Sequence, residues 1–161
     1  MIFGEEQTFA VNCIEVENPG SGGIFLHASL QVGRREIGDA AEICAAGAIA
    51  HSATVFLKYA GSRHVEVSAP RVMFEYLQSV MYGENWRIGV SGQFHARFAI
   101  HEIFDVSVSD KGWLVFLVDS AQGESVLLVG TRDRGYLDGQ AVPQGHVEHV
   151  LENMLGWFKR N

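Results

Sequence analysis

Residues 97–130, RFAIHEIFDVSVSDKGWLVFLVDSAQGESVLLVG, decide the fold class. They hold three runs rich in β-branched and aromatic residues, at about 97–108, 113–119 and 124–130. The links are Ser109-Asp110-Lys111-Gly112 and Ser120-Ala121-Gln122-Gly123, short and glycine-ended, as antiparallel hairpins require. In the first run Phe98, Ile100, Phe104, Val106 and Val108 share one parity, and His101, Asp105, Ser107 and Ser109 share the other. Period two with one apolar face is the mark of a half-buried strand. The stretch predicts a three-strand meander.

Working outward from the meander, residues 8–16 read as a strand. A turn cluster, Asn18-Pro19-Gly20-Ser21-Gly22-Gly23, leads into a second strand, in which Ile24, Leu26, Ala28, Leu30 and Val32 alternate with Phe25, His27, Ser29, Gln31 and Gly33. The pair predicts an N-terminal hairpin. Residues 37–46 stay open between a further strand and a helix start, since Asp39 and Glu42 have capping-box spacing. Ile49, Ala53, Phe56, Leu57 and Ala60 fall on one helical face, stopped by Gly61. A second helix, capped by Ser68 with Pro70 in its first turn, carries Met73, Tyr76, Leu77 and Val80 and ends at Gly83. Residues 84–97 around Trp86 read as irregular, and 131–141 as a polar loop. Pro143 opens a last helix with Val147, Val150, Leu151, Met154, Leu155 and Phe158 on one face. The order β-β-(β)-α-α-β-β-β-α segregates strands from helices. It predicts a single α+β domain over 1–161: an antiparallel sheet, made of the N-terminal hairpin and the meander, with helices packed on one face.

With 161 residues and 47% hydrophobic side chains the chain can bury a sizeable core without a disulfide, metal or cofactor. Lysine and arginine number 12 against 19 aspartates and glutamates, a net charge of −7. Such a surface repels nucleic acid and anionic membranes and attracts a basic partner. Cys13 and Cys44 sit in apolar surroundings and read as buried thiols in a reducing compartment. The N-terminus has no basic segment followed by an apolar one, and no run reaches the length of a membrane span, so a cytoplasmic protein is expected.

Motifs for chemistry are weak. His146 and His149 stand three apart on the last helix, but no HExxH or strong ligand spacing accompanies them, and no metal is expected. His95 and His101 flank a strand start. There is no G-x-S-x-G elbow. Gly20-Ser21-Gly22-Gly23 and the Gly130–Gly135 stretch lack the strand-loop-helix setting of a phosphate site. Glu102 shares the parity of the apolar residues, as a bulge residue or as a buried carboxylate with a raised pKa.

The acidic residues carry more. Asp105 projects from the polar face of the first meander strand, and Asp110, Asp119, Glu124, Asp133 and Asp138 follow in the turns and loop. A one-sided acidic surface of this kind steers a basic protein onto it. These six are the candidate partner-binding residues; no catalytic residue is assigned.

The opening Met1-Ile2-Phe3-Gly4 with Phe9-Ala10-Val11 resembles the start of the immunity protein 42 group, bacterial immunity proteins of polymorphic toxin systems of the contact-dependent inhibition type. Ile37-Gly38-Asp39, Gly61-Ser62-Arg63 and Val80-Met81-Tyr82-Gly83 are similar as well, and the likeness covers roughly the first half of the chain. The resemblance implies a cytoplasmic protein that binds one cognate toxin domain, often a nuclease, without catalytic residues or cofactor. The alternatives are a small-molecule-binding or enzymatic domain using His101 or Glu102 between sheet and helices, and a homo-oligomer joined through Trp157 and Phe158.

Overall fold

The structure is a computed structural model that describes residues 1–17, 23–65, 69–83, 88–120 and 123–160, with residues 88–92 as backbone only. The glycine cluster at 18–22, the Ser68 cap, Trp86 and the Ala121-Gln122 part of a link lie outside the described residues.

The class is α+β, as expected. Strands β1 (Ile2–Glu5), β2 (Phe9–Val16), β3 (Phe25–Val32), β4 (Arg35–Ile37) and β5 (Ile43–Ala45) form one antiparallel sheet. Its path is β1-β2-β3-β4, and β5 also pairs with β3. Helices α1 (Ala46–Leu57), α2 (Pro70–Tyr82) and α3 (Ile88–Phe98) follow. After them come a 3-10 turn (Ile100–Phe104) and a π turn (Asp105–Ser109). The meander is β6 (Trp113–Asp119), β7 (Glu124–Thr131) and β8 (Gly135–Pro143), and α4 (His146–Phe158) closes the chain.

The meander therefore sits one strand later than its sequence suggests. Residues 97–108 are not a strand. Phe98 ends α3, Ala99 makes a single antiparallel bridge to Phe116 of β6, and Ile100–Ser109 turn helically beside that strand. A side chain does there what a strand backbone would do: Val115 donates its N–H to His101 Nδ1 at 3.0 Å. Of the stretch 131–141 expected as a polar loop, only the residues between Thr131 and Gly135 are a turn; residues 135–141 belong to β8, paired with β7 across a register shift at Val129/Gly130. Its exposed Leu137, Asp138, Gly139 and Ala141 suit an edge strand that must not recruit another chain.

Burial explains the layers. Leu114, Phe116, Val118 and Leu128 face α2 and α3, meeting Met73, Phe74, Leu77, Met81 and Phe98. Val115, Leu117, Leu127 and Val129 point the other way, into a core shared with the N-terminal sheet, α1 and α4. The meander thus carries helices on both faces, which is why Trp113–Val118 is apolar without alternation. Each fully buried phenylalanine or leucine contributes about 1.5–3 kcal/mol.

Residues 37–46 resolve as β4, a turn and β5. Asp39 Oδ1 accepts the Ala41 N–H at 2.9 Å, so Asp39 closes a turn rather than capping a helix. Cys13 and Cys44 are free and buried, and burial pushes the Cys13 thiol up to about 12.

Candidate functional site

A groove of about 460 Å³ opens between α1 and the segment formed by the end of α3 and the two turns. Ile49, Phe56, Ile103 and Phe104, all nearly inaccessible, make its floor. His51, His95, Glu102 and Asp105 bring polar groups to its walls. No lysine or arginine is among the described residues that line it.

One wall is held by a chain of hydrogen bonds that starts in the core. His101 is fully buried between the helical turn and β6, edge-on to Phe116. Its Nε2 lies 2.8 Å from Tyr82 Oη, and Tyr82 donates to Glu102 Oε1 at 2.7 Å. His95 Nδ1 is 3.1 Å from the same oxygen. An ionised Glu102 only accepts, so the one tyrosine proton goes to it. His101 must then donate from Nε2 and accept the Val115 N–H at Nδ1. Nδ1 also lies 2.9 Å from the Val115 carbonyl oxygen, which this tautomer leaves without a ring proton.

The electrostatics follow from this wiring. Burial pulls the His101 imidazole down to about 4, against the weaker help of the Val115 backbone and Glu102. Burial opposes ionisation of Glu102, but the bonds from His95 and Tyr82 and the nearby imidazoles outweigh it and hold its carboxyl at about 2. The raised pKa entertained for Glu102 is therefore reversed, and the residue is a partly exposed carboxylate rather than a strand bulge. The Tyr82 hydroxyl is pushed up, first by burial and then by Glu102. Arg132 lies over the Tyr82 ring at 5.3 Å and donates to Ser109 Oγ at 3.1 Å. Nothing in sequence spacing joins Tyr82, His95, His101 and Glu102; the signal available was Glu102 at an apolar parity beside a histidine.

The six acidic candidates do not share a face. Asp105 and Asp110 are exposed and close in space, with Asp105 at the groove. Burial raises the Asp105 carboxyl, and the charges of Asp110 and Glu102 raise it further. Asp133 is in the β7–β8 turn at the same end of the meander, where Arg132 N–H donates to Gly112 O, and it pairs loosely with Arg134. Glu124 opens β7 at the far end, about 23 Å away at the rise of an extended strand. Asp138 is exposed midway along β8.

Asp119, unlike the other five, is buried. Its Oδ2 accepts the Arg63 N–H at 3.2 Å and its Oδ1 the Ser125 hydroxyl at 2.9 Å. Last on a strand, it caps a loop's backbone instead of facing water.

The other histidines separate. His146 Nε2 lies 3.3 Å from Thr8 Oγ1, and His149 Nε2 lies 3.1 Å from Asn153. Among the described residues no three histidine, cysteine, aspartate or glutamate side chains gather as a metal requires. Neither Cys44 nor Ser52, both lining the groove, hydrogen-bonds to an imidazole among the described residues. Gly130–Gly135 is the β7–β8 turn, with a register shift at Val129/Gly130. Trp157 packs on Phe3 and Phe158, half buried. No described helix is long and apolar enough to cross a membrane.

No curated protein and no solved structure matches this chain. A family model does: immunity protein 42, over residues 1–157. That span takes in both sheets, the groove and all but the last residue of α4. The chain belongs to the immunity protein 42 family.

Proposed function

We propose that this protein binds one cognate toxin domain, one to one, and neutralises it by contact rather than by chemistry. The observation that carries the reading is the family match over 1–157, which covers the whole fold and not a fragment of it. The net charge of −7 supports a basic partner. Nucleases carry a positive groove for their substrate, so we infer that the toxin is a nuclease. Such an inhibitor works in the cytoplasm of the cell that makes the toxin. The exposed carboxylates Asp105, Asp110, Glu124, Asp133 and Asp138 supply the steering field, with Asp105 at the groove and Asp110 beside it. Coupling of this kind speeds encounter more than it deepens affinity.

The test is protection. The C-terminal domain encoded immediately upstream is induced in cells with and without this chain. Growth restored only when the chain is present supports the reading. Killing that the chain does not relieve removes it.

One observation favours a second reading: a groove of about 460 Å³ whose walls carry Glu102, with its carboxyl held at about 2, and the imidazoles of His51 and His95 is a size and make-up that suits a small ligand. Against it, the His101–Tyr82–Glu102 chain is satisfied internally. A screen in which a small molecule raises the melting temperature, with no protection against the toxin, would favour that reading.

A further inference from the structure

We propose that the groove between α1 and the Ile100–Phe104 turn is the receptor for a basic side chain of the toxin, an arginine or lysine that projects from the docked domain. This rests on the immunity reading above and adds which face docks and what it accepts.

The groove's composition selects the occupant. Its floor is Ile49, Phe56, Ile103 and Phe104, which suits the aliphatic stem of a long side chain. Its charged lining residues are Glu102 and Asp105, with no lysine or arginine among the described ones. An acidic side chain would meet two carboxylates of its own sign. A purely apolar one would cover Glu102 and Asp105 without pairing them, which is costly for a charge leaving water. A cation on an apolar stem meets both demands.

The groove is also prepared for that guest. Tyr82 and His95 fix the Glu102 carboxylate from behind, so it has little side-chain freedom left to lose on pairing. The Asp105 carboxyl is raised first by burial and then by the charges of neighbouring Asp110 and of Glu102, which Arg132 opposes only in part. A cation among these carboxylates opposes that rise. Arginine in a desolvated pocket is also a common centre of binding energy in protein interfaces. Glu124 and Asp138 lie elsewhere on the meander and contribute only to long-range steering, not to the groove.

Titration calorimetry of the upstream toxin domain against purified variants tests this. Asp105→Asn removes one charge at an exposed site. Ala48→Arg fills the groove from an exposed position on α1 and brings a competing cation. Both are checked for wild-type melting first. We expect Asp105→Asn to weaken binding about tenfold, Ala48→Arg to weaken it further, and Glu152→Gln, at an exposed α4 position outside the groove lining, to leave it unchanged. If the wild type binds and both groove variants bind equally well, the toxin docks elsewhere; the groove assignment falls and the immunity reading stands. If the wild type itself does not bind, both fall together.

Discussion

Arg63 and Glu148, 85 residues apart in sequence, meet as an ion pair whose guanidinium is wholly buried. Arg63 Nε donates to Arg97 O and Nη2 to Phe56 O, both at 2.7 Å, and the group lies 4.0 Å over the Phe56 ring. Its backbone N–H reaches Asp119. One side chain thus ties the ends of α1 and α3 to α4, and its backbone ties the same loop to the end of β6. Glu148 Oε2 and Arg97 Nε, both buried, have no bonded partner among the described atoms.

Removing Glu148 would strand that cation inside the protein. Glu148→Ala is expected to cost about 3–5 kcal/mol, the range for breaking a buried pair from one side. Urea unfolding measures it. Replacing Arg63 and Glu148 together by apolar residues should cost less than the single change. A loss under 1 kcal/mol for Glu148→Ala would show that the pair does not organise the loop.

Acid should unfold this protein in two overlapping steps. His101 binds its proton at about 4 when folded, against an ordinary 6.5, so the unfolded chain takes up a proton first and stability falls from pH 6.5 down to 4. Glu102 has a depressed folded value of about 2, so its contribution is complete above about 4.5 and is lost as pH falls towards 2. The His101 step has a limiting slope of about 1.4 kcal/mol per pH unit. His101→Asn should be less stable at pH 7 but flatter between pH 6.5 and 4. An unchanged slope in that variant would show that another group carries the step.

Two glycines give opposite predictions. A Cβ on Gly130 would stand 2.3 Å from both Gly135 O and the Phe74 ring, at the register shift of the meander. Gly130→Ala should therefore cost at least about 1–3 kcal/mol by overpacking. Gly156, inside α4, has nothing within 4 Å of an added Cβ. Gly156→Ala should raise stability by about 0.5–1 kcal/mol, since alanine favours a helix interior. Thermal unfolding of both variants decides the matter.

Which parts of the fold could be read from sequence follows from how each is stabilised. α4 was legible because one apolar stripe, Val147, Val150, Leu151 and Met154, packs on one surface, whereas in α2 only Met73 and Leu77 of the expected stripe are buried, Phe74 and Met81 complete the face and Tyr76 is exposed. Residues 97–108 misled because helical turns that bury Ile100, Phe104 and Val108 also place apolar residues at even spacings. What overrode strand formation was His101 holding the β6 backbone, a tertiary bond. β8 was missed because an exposed edge strand needs no apolar pattern. The unbroken Trp113–Val118 run did carry the sign of a doubly covered strand. For the site, net charge was readable and its placement was not: Asp119 turned inward, and Glu124 and Asp133 parted to opposite ends of β7.

The most direct test of the central claim is the mass of the complex. This 17.7 kDa chain is mixed with the upstream toxin domain and passed through size-exclusion chromatography with light scattering, at low and at high salt. The account predicts a one-to-one complex at both, formed more slowly at high salt as screening weakens the steering of a basic partner onto acidic Asp105 and Asp110. Two separate peaks at their individual masses in low salt would contradict it.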